Sequence, residues 1–199
     1  MSAYAESIVQ IEGYRRKIEA LHKEMRDVQA AIEPQPVEDY VFEGQDGPVT
    51  LSALFGDKDD LFVIHNMGTS CPACTMWADG FNGVYDHLAA RAAFVLTSPN
   101  TPQVQKQFAK SRGWRFPMVS HEGNSFAKDM GYRLEHGDEE GENRSRWVPG
   151  VSAFKKTGAG IVRVSNAQLG PGDDFCTVWH LLDLLPEGAA GWAPKYSYA

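Results

Sequence analysis

Between residues 4 and 32 the chain carries no proline, and Ile11, Tyr14, Ile18, Leu21, Met25, Val28 and Ile32 fall at alternating steps of three and four. Apolar side chains at that spacing share one stripe of an α-helix, so the pattern predicts a single long helix with a heptad seam. Glu33-Pro34-Gln35-Pro36 ends it, because a proline disfavours helical geometry in the residue before it. Such a seam is covered by the rest of its own chain or by a second copy. Tyr14 and Met25 suit a two-stranded zipper poorly, so the expectation is a helix packed partly on its own domain and partly across a two-fold interface, giving a homodimer.

Beyond the break the periodicity shortens to that of strands. Tyr40-Val41-Phe42 and Pro48-Val49-Thr50-Leu51 flank Glu43-Gly44-Gln45-Asp46-Gly47, a hairpin by its turn residues. Leu61-Phe62-Val63-Ile64 is an unbroken apolar run, as in a central strand buried on both faces. A helix is predicted over 73–90 from Trp77, Phe81, Val84 and Leu88, with Gly80 and Gly83 as weak points, and a second buried strand over 92–98. Thr101-Pro102 opens a helix over 103–112 that Gly113 stops. A short strand at 116–120 follows, then a helix capped by Asn124 and stopped at Gly131.

Residues 137–146 contain Asp138, Glu139, Glu140 and Glu142 with no large apolar residue among them, which predicts a mobile surface loop. Val148-Pro149-Gly150-Val151-Ser152-Ala153-Phe154 and Ile161-Val162-Arg163-Val164 enclose Lys156-Thr157-Gly158-Ala159-Gly160, a second hairpin, and a last helix is expected over 173–185. Strand and helix alternate, so the fold class is α/β, with a mixed sheet of four or five strands, helices on both faces and an insertion between Arg112 and Val148. The expected organisation is an amphipathic helix at 1–33, a linker at 34–39, the α/β domain at 40–186 and a tail without regular structure at 187–199.

Lys and Arg number 19 against 26 Asp and Glu, a formal charge of −7, which provides no footprint for nucleic acid or an anionic membrane surface. No apolar run is long enough for a spanning helix, and the first residues lack the basic segment and apolar core of a secretory leader, so a cytoplasmic protein is expected. No cofactor or resident metal is expected. No glycine-rich phosphate loop or Ser/His/Asp order is present.

Two of the three cysteines form Cys71-Pro72-Ala73-Cys74, between a buried strand and a helix. Unpaired backbone N–H groups and the positive end of the helix dipole stabilise a thiolate there. Cys71 is placed to attack and Cys74, one turn further in, to resolve. Half of a zinc site is the poorer reading, since no second pair exists and His65 and Cys176 are not at finger-like spacing; two inert buried thiols are the other alternative. Cys176 reads as a core thiol. His65, at the end of the central strand, is a core histidine or a tuner of the thiolate. His22, His87, His121, His136 and His180 stand in surface-like contexts and are assigned nothing.

The strand, CxxC, helix, strand, helix order with Val148-Pro149 opening a later hairpin resembles the thioredoxin fold. In that fold a cis-proline faces the cysteine pair; Pro149, if cis, would place its preceding backbone against the sulfurs and receive a substrate chain as an extra strand. DYVFEGQDGPVTLSALFG, SCPACTMWADGFNGVYDHL, GWRFPMVS and VPGVSAFKKTGAG resemble the bacterial thioredoxin-like family known as domain of unknown function 899, related in outline to alkyl-hydroperoxide-reductase proteins. Catalytic residues implied are Cys71, Cys74 and Pro149, in a thiol-disulfide oxidoreductase acting on a disulfide-bearing protein or a small thiol or disulfide. The alternatives are a thiol peroxidase of peroxiredoxin-like type and a non-catalytic redox-responsive binding protein. Peroxiredoxins carry threonine three residues before the peroxidatic cysteine; that position is Gly68 in this chain.

Overall fold

The computed structural model describes residues 2–137 and 143–198. It divides into two units, Met1–Pro34 and Gln35–Ala199. The first is one helix, α1 (Ala3–Ala30), whose N-cap Ser2 accepts a hydrogen bond from the Ala5 N–H at 3.3 Å. Lys23 and Asp27, one turn apart, pair at 2.8 Å, and Arg15 pairs with Glu12. The helix stops at Ala30, ahead of Pro34 and Pro36, and the Ala31 N–H donates to the Val28 carbonyl at 3.1 Å.

The second unit runs β1 (Gln35–Val37), β2 (Val41–Gly44), β3 (Gly47–Thr50), a 3-10 turn (Ala53–Phe55), β4 (Asp60–His65), α2 (Pro72–Arg91), β5 (Ala93–Ser98), α3 (Pro102–Arg112) and β6 (Met118–Ser120). It continues through α4 (Phe126–Asp129), β7 (Arg133–Gly137), β8 (Asn143–Trp147), β9 (Gly150–Thr157), β10 (Gly160–Gln168) and α5 (Thr177–Leu182). The main sheet has eight strands in the order β1-β10-β9-β4-β5-β6-β2-β3, more than the four or five expected. The parallel strands β4, β5 and β6 form its centre, and β9 joins β4 antiparallel. The expected linker supplies one extra strand, since Gln35, Pro36 and Val37 pair with Arg163, Val162 and Ile161. The opening hairpin supplies two more, attached to β6 through Glu43 and Ser120.

Alternation along β4 and β5 divides the core between the two faces. Leu61, Val63 and Val95 pack with Phe42, Phe55, Phe126 and Phe154, whereas Ile64, Phe94 and Leu96 pack with Trp77, Phe81 and Trp114. Both faces of the centre are therefore buried, which is why its strands read as unbroken apolar runs.

Three local expectations are corrected. Of the loop expected over 137–146, Gly137 ends β7 and residues 143–146 belong to β8, the two strands forming a sheet with Arg133 opposite Trp147 and Glu135 opposite Ser145; residues 138–142 lie outside the described residues. The last helix is shorter than 173–185, because the Asp173 carboxylate accepts from the Gly170 and Phe175 N–H groups at 2.9 and 2.7 Å and holds a turn in place of a first helical turn. The helix expected to be capped by Asn124 has Ser125 as its N-cap instead, with Asn124 one residue earlier accepting from Phe126 N–H at 3.1 Å in a turn, and it is only four residues long.

Phe126 is fully buried, with ring centroids 4.9 Å from Phe42 and 5.1 Å from Tyr40. Phe126→Ala is expected to cost about 3–5 kcal/mol, read as a lowered midpoint in urea unfolding without loss of the folded baseline.

Candidate active site

The chain leaves β4 through Asn66-Met67-Gly68-Thr69-Ser70 and enters α2 with Cys71 as N-cap and Pro72 in the first turn. Two asparagines shape this loop. Asn66 donates its backbone N–H to the Thr97 carbonyl at 2.9 Å and accepts from Gly68 N–H at 2.7 Å, and its side-chain amide donates to the Cys74 carbonyl at 3.4 Å. Asn100, beyond β5, accepts from Thr69 N–H at 2.9 Å. Gly68 has φ +101°, and a Cβ there would lie 2.6 Å from the Asn100 side-chain oxygen, so the turn requires glycine twice over.

Cys71 has extended backbone geometry, and its Sγ accepts from the Cys74 N–H at 3.0 Å. The sulfur thus occupies the position that a serine or aspartate oxygen takes in an ordinary cap. The Cys71 pKa is pulled down to about 7, first by the hydrogen bond from the Cys74 side chain and then by the Cys74 and Ala73 N–H groups, against the opposing effect of burial. The same thiol–thiolate bond, burial and the Cys71 charge push Cys74 far up. Both cysteines are free and buried, Cys71 at 8% exposure. The arrangement can hold a nucleophilic thiolate at neutral pH in contact with a protonated thiol.

The other sequence candidates have partners of their own. The described residues contain no cis peptide bond, so Pro149 is trans and the condition attached to its expected role is not met. The backbone beside it is already paired, with Val148 N–H donating to the Tyr132 carbonyl and Leu169 N–H to the Pro149 carbonyl, both at 3.0 Å. His65 shares a hydrogen bond of 2.9 Å with Ser152 Oγ and stacks on Tyr132 at 3.7 Å, and burial holds its pKa well below the ordinary value. It is a neutral core histidine. Cys176 is buried at the N-cap of α5 in the cluster that holds Trp77 and Phe81, and burial raises its pKa.

Two features escaped the sequence reading. His121, expected at the surface, is buried at the end of β6, where Nδ1 meets Thr97 Oγ1 at 3.0 Å and the ring packs on Trp147 at 4.9 Å. Burial, then Arg133, pushes its pKa down to about 4. Its position directly after the buried strand Met118-Val119-Ser120 was the available signal. The C-terminal tail also reaches the site, since the Tyr196 hydroxyl donates to the Thr69 carbonyl at 2.9 Å. No pattern in the sequence marks that contact. Among the described residues no group of three His, Cys, Asp or Glu side chains is placed to hold a metal ion, and no helix is long and apolar enough to cross a membrane.

A CxxC pair at the junction of a central parallel strand and its following helix defines a thioredoxin-like protein, and solved structures agree on that fold. Xanthomonas campestris peroxiredoxin Q matches with a TM-score of 0.55 at 19% identity, over 65% of this chain and 80% of that one. Reduced Prx3 from Vibrio vulnificus, in complex with hydrogen peroxide, matches with a TM-score of 0.54 at 17% identity, over 71% of this chain and 90% of that one. The family model for bacterial proteins of unknown function, DUF899, matches residues 2–197, and the chain belongs to that family. No curated protein matches it.

Alkylation of Cys71 by iodoacetamide is expected to rise with pH with a midpoint near 7, while Cys74 stays unreactive, as read by mass spectrometry of the labelled peptide. The two buried histidines give a second expectation. Their folded-state pKa values are lowered, so the unfolded chain binds protons that the folded chain refuses, and stability present above about pH 6.5 is lost as the pH falls, at about 1.4 kcal/mol per pH unit for each group. Urea midpoints between neutral and mildly acidic pH measure the slope, and His121→Asn should make it shallower.

Proposed function

We propose that the protein is a dithiol peroxidase that reduces small hydroperoxides. The Cys71 thiolate attacks one peroxide oxygen, the O–O bond breaks, and the departing alkoxide takes a proton to leave as an alcohol, or as water from hydrogen peroxide. Cys71 is then a sulfenic acid. Cys74 attacks that sulfur, an S–S bond forms and water leaves, so the two electrons that reduce the peroxide come from the two thiols. An external dithiol restores the pair.

The observation that carries this reading is a Cys71 sulfur that caps α2, accepting from the Cys74 N–H at 3.0 Å, with its pKa pulled down by the Cys74 side chain, and that is nonetheless almost fully enclosed beside its resolving thiol. Enclosure suits a two-oxygen substrate better than a polypeptide disulfide. The structural neighbours, a peroxiredoxin Q and a Prx3 in complex with hydrogen peroxide, lend support to the same order of preference. Thiol-disulfide exchange is the second reading, favoured by Gly68 at the position where peroxiredoxins carry threonine.

Single-turnover peroxide loss separates the two. Wild-type protein should consume one equivalent of peroxide per cysteine pair, Cys71→Ser none, and Cys74→Ser one equivalent with a sulfenic acid trapped by dimedone. Absence of peroxide loss alongside rapid exchange with a disulfide would replace the first reading by the second.

A further inference from the structure

The tail from residue 187 to residue 198 forms no helix or strand, yet it is pinned along its length. The Trp192 ring meets Trp179 edge-on at 5.7 Å, and Lys195 N–H donates to the Tyr198 hydroxyl at 3.0 Å. Arg112 donates to the Tyr196 carbonyl at 2.6 Å while its guanidinium also pairs with Asp79 on α2. The Tyr196 ring stands edge-on to Phe108 at 6.4 Å, and its hydroxyl reaches the carbonyl of Thr69, two residues before Cys71. The clamp on the tail is thus anchored to the same helix that Cys71 caps. Burial first, then the charge of Cys71, raise the Tyr196 pKa, and its protonated hydroxyl is the donor this contact needs.

We infer that Tyr196 is a specificity-determining residue of the Cys71 site, where it and the pinned tail admit small molecules to the sulfur and exclude bulky ones. The inference rests on Cys71 being the reacting thiolate. It joins an ordered tail to the low exposure of Cys71, and it concerns access alone, leaving the thiolate to the helix terminus.

The test compares alkylation of Cys71 in the full-length protein by iodoacetamide, a small probe, and by a polyethylene-glycol maleimide, a bulky one. Tyr196→Ala, and separately a chain ending at Trp192, should accelerate the bulky probe by about tenfold or more and the small probe by less than about twofold, with the pH midpoint of Cys71 unchanged. Tyr196→Phe, which keeps the ring, should stay closer to wild type than Tyr196→Ala. Equal acceleration of both probes, no acceleration in either variant, or a moved midpoint in place of a size effect would overturn the inference. Neither probe is a peroxide, so a failed peroxidase assay with a retained size effect would count against the proposed function only.

Discussion

The site depends on one hydrogen bond, from the Cys74 N–H to the Cys71 sulfur at the start of α2. A helix needs its first N–H groups satisfied, and a sulfur meets that need far better as a thiolate than as a thiol. Capping the helix therefore adds to the activation of the nucleophile, to which the hydrogen bond from the Cys74 side chain contributes most. Because the Cys71 pKa is lowered on folding, its thiolate contributes stability above the unfolded thiol's range, and this contribution is lost as the pH falls through about 7.

The surrounding structure holds that cap in register. Asn66 ties the loop to β5 and to α2, and Asn100 ties it to the segment after β5, so three neighbouring elements fix the approach to Cys71. The histidines at the ends of β4 and β6 play a different part. Each is buried, bonded to a hydroxyl and packed on an aromatic ring, which keeps it neutral and leaves the thiolate without an imidazolium partner.

Much of this was legible from local pattern. The unbroken run at Leu61 to Ile64 announced a central strand, Thr101-Pro102 and Gly113 bracketed α3, and the CxxC stood at a strand-to-helix junction, because turn chemistry, capping and periodicity act over a few residues. Charge and polarity misled where distant partners intervened. The polar stretch around residue 137 borders a hairpin, and Gln35-Pro36-Val37 looked like a linker but found β10.

By itself, then, the sequence determined the elements, the α/β class and the cysteine pair at a helix start. Only the tertiary structure decided which residues surround that pair. Burial of His121, the paired backbone beside Pro149 and the contact of Tyr196 with Thr69 all join residues far apart in the chain. Such contacts form when elements pack, and no local periodicity encodes them.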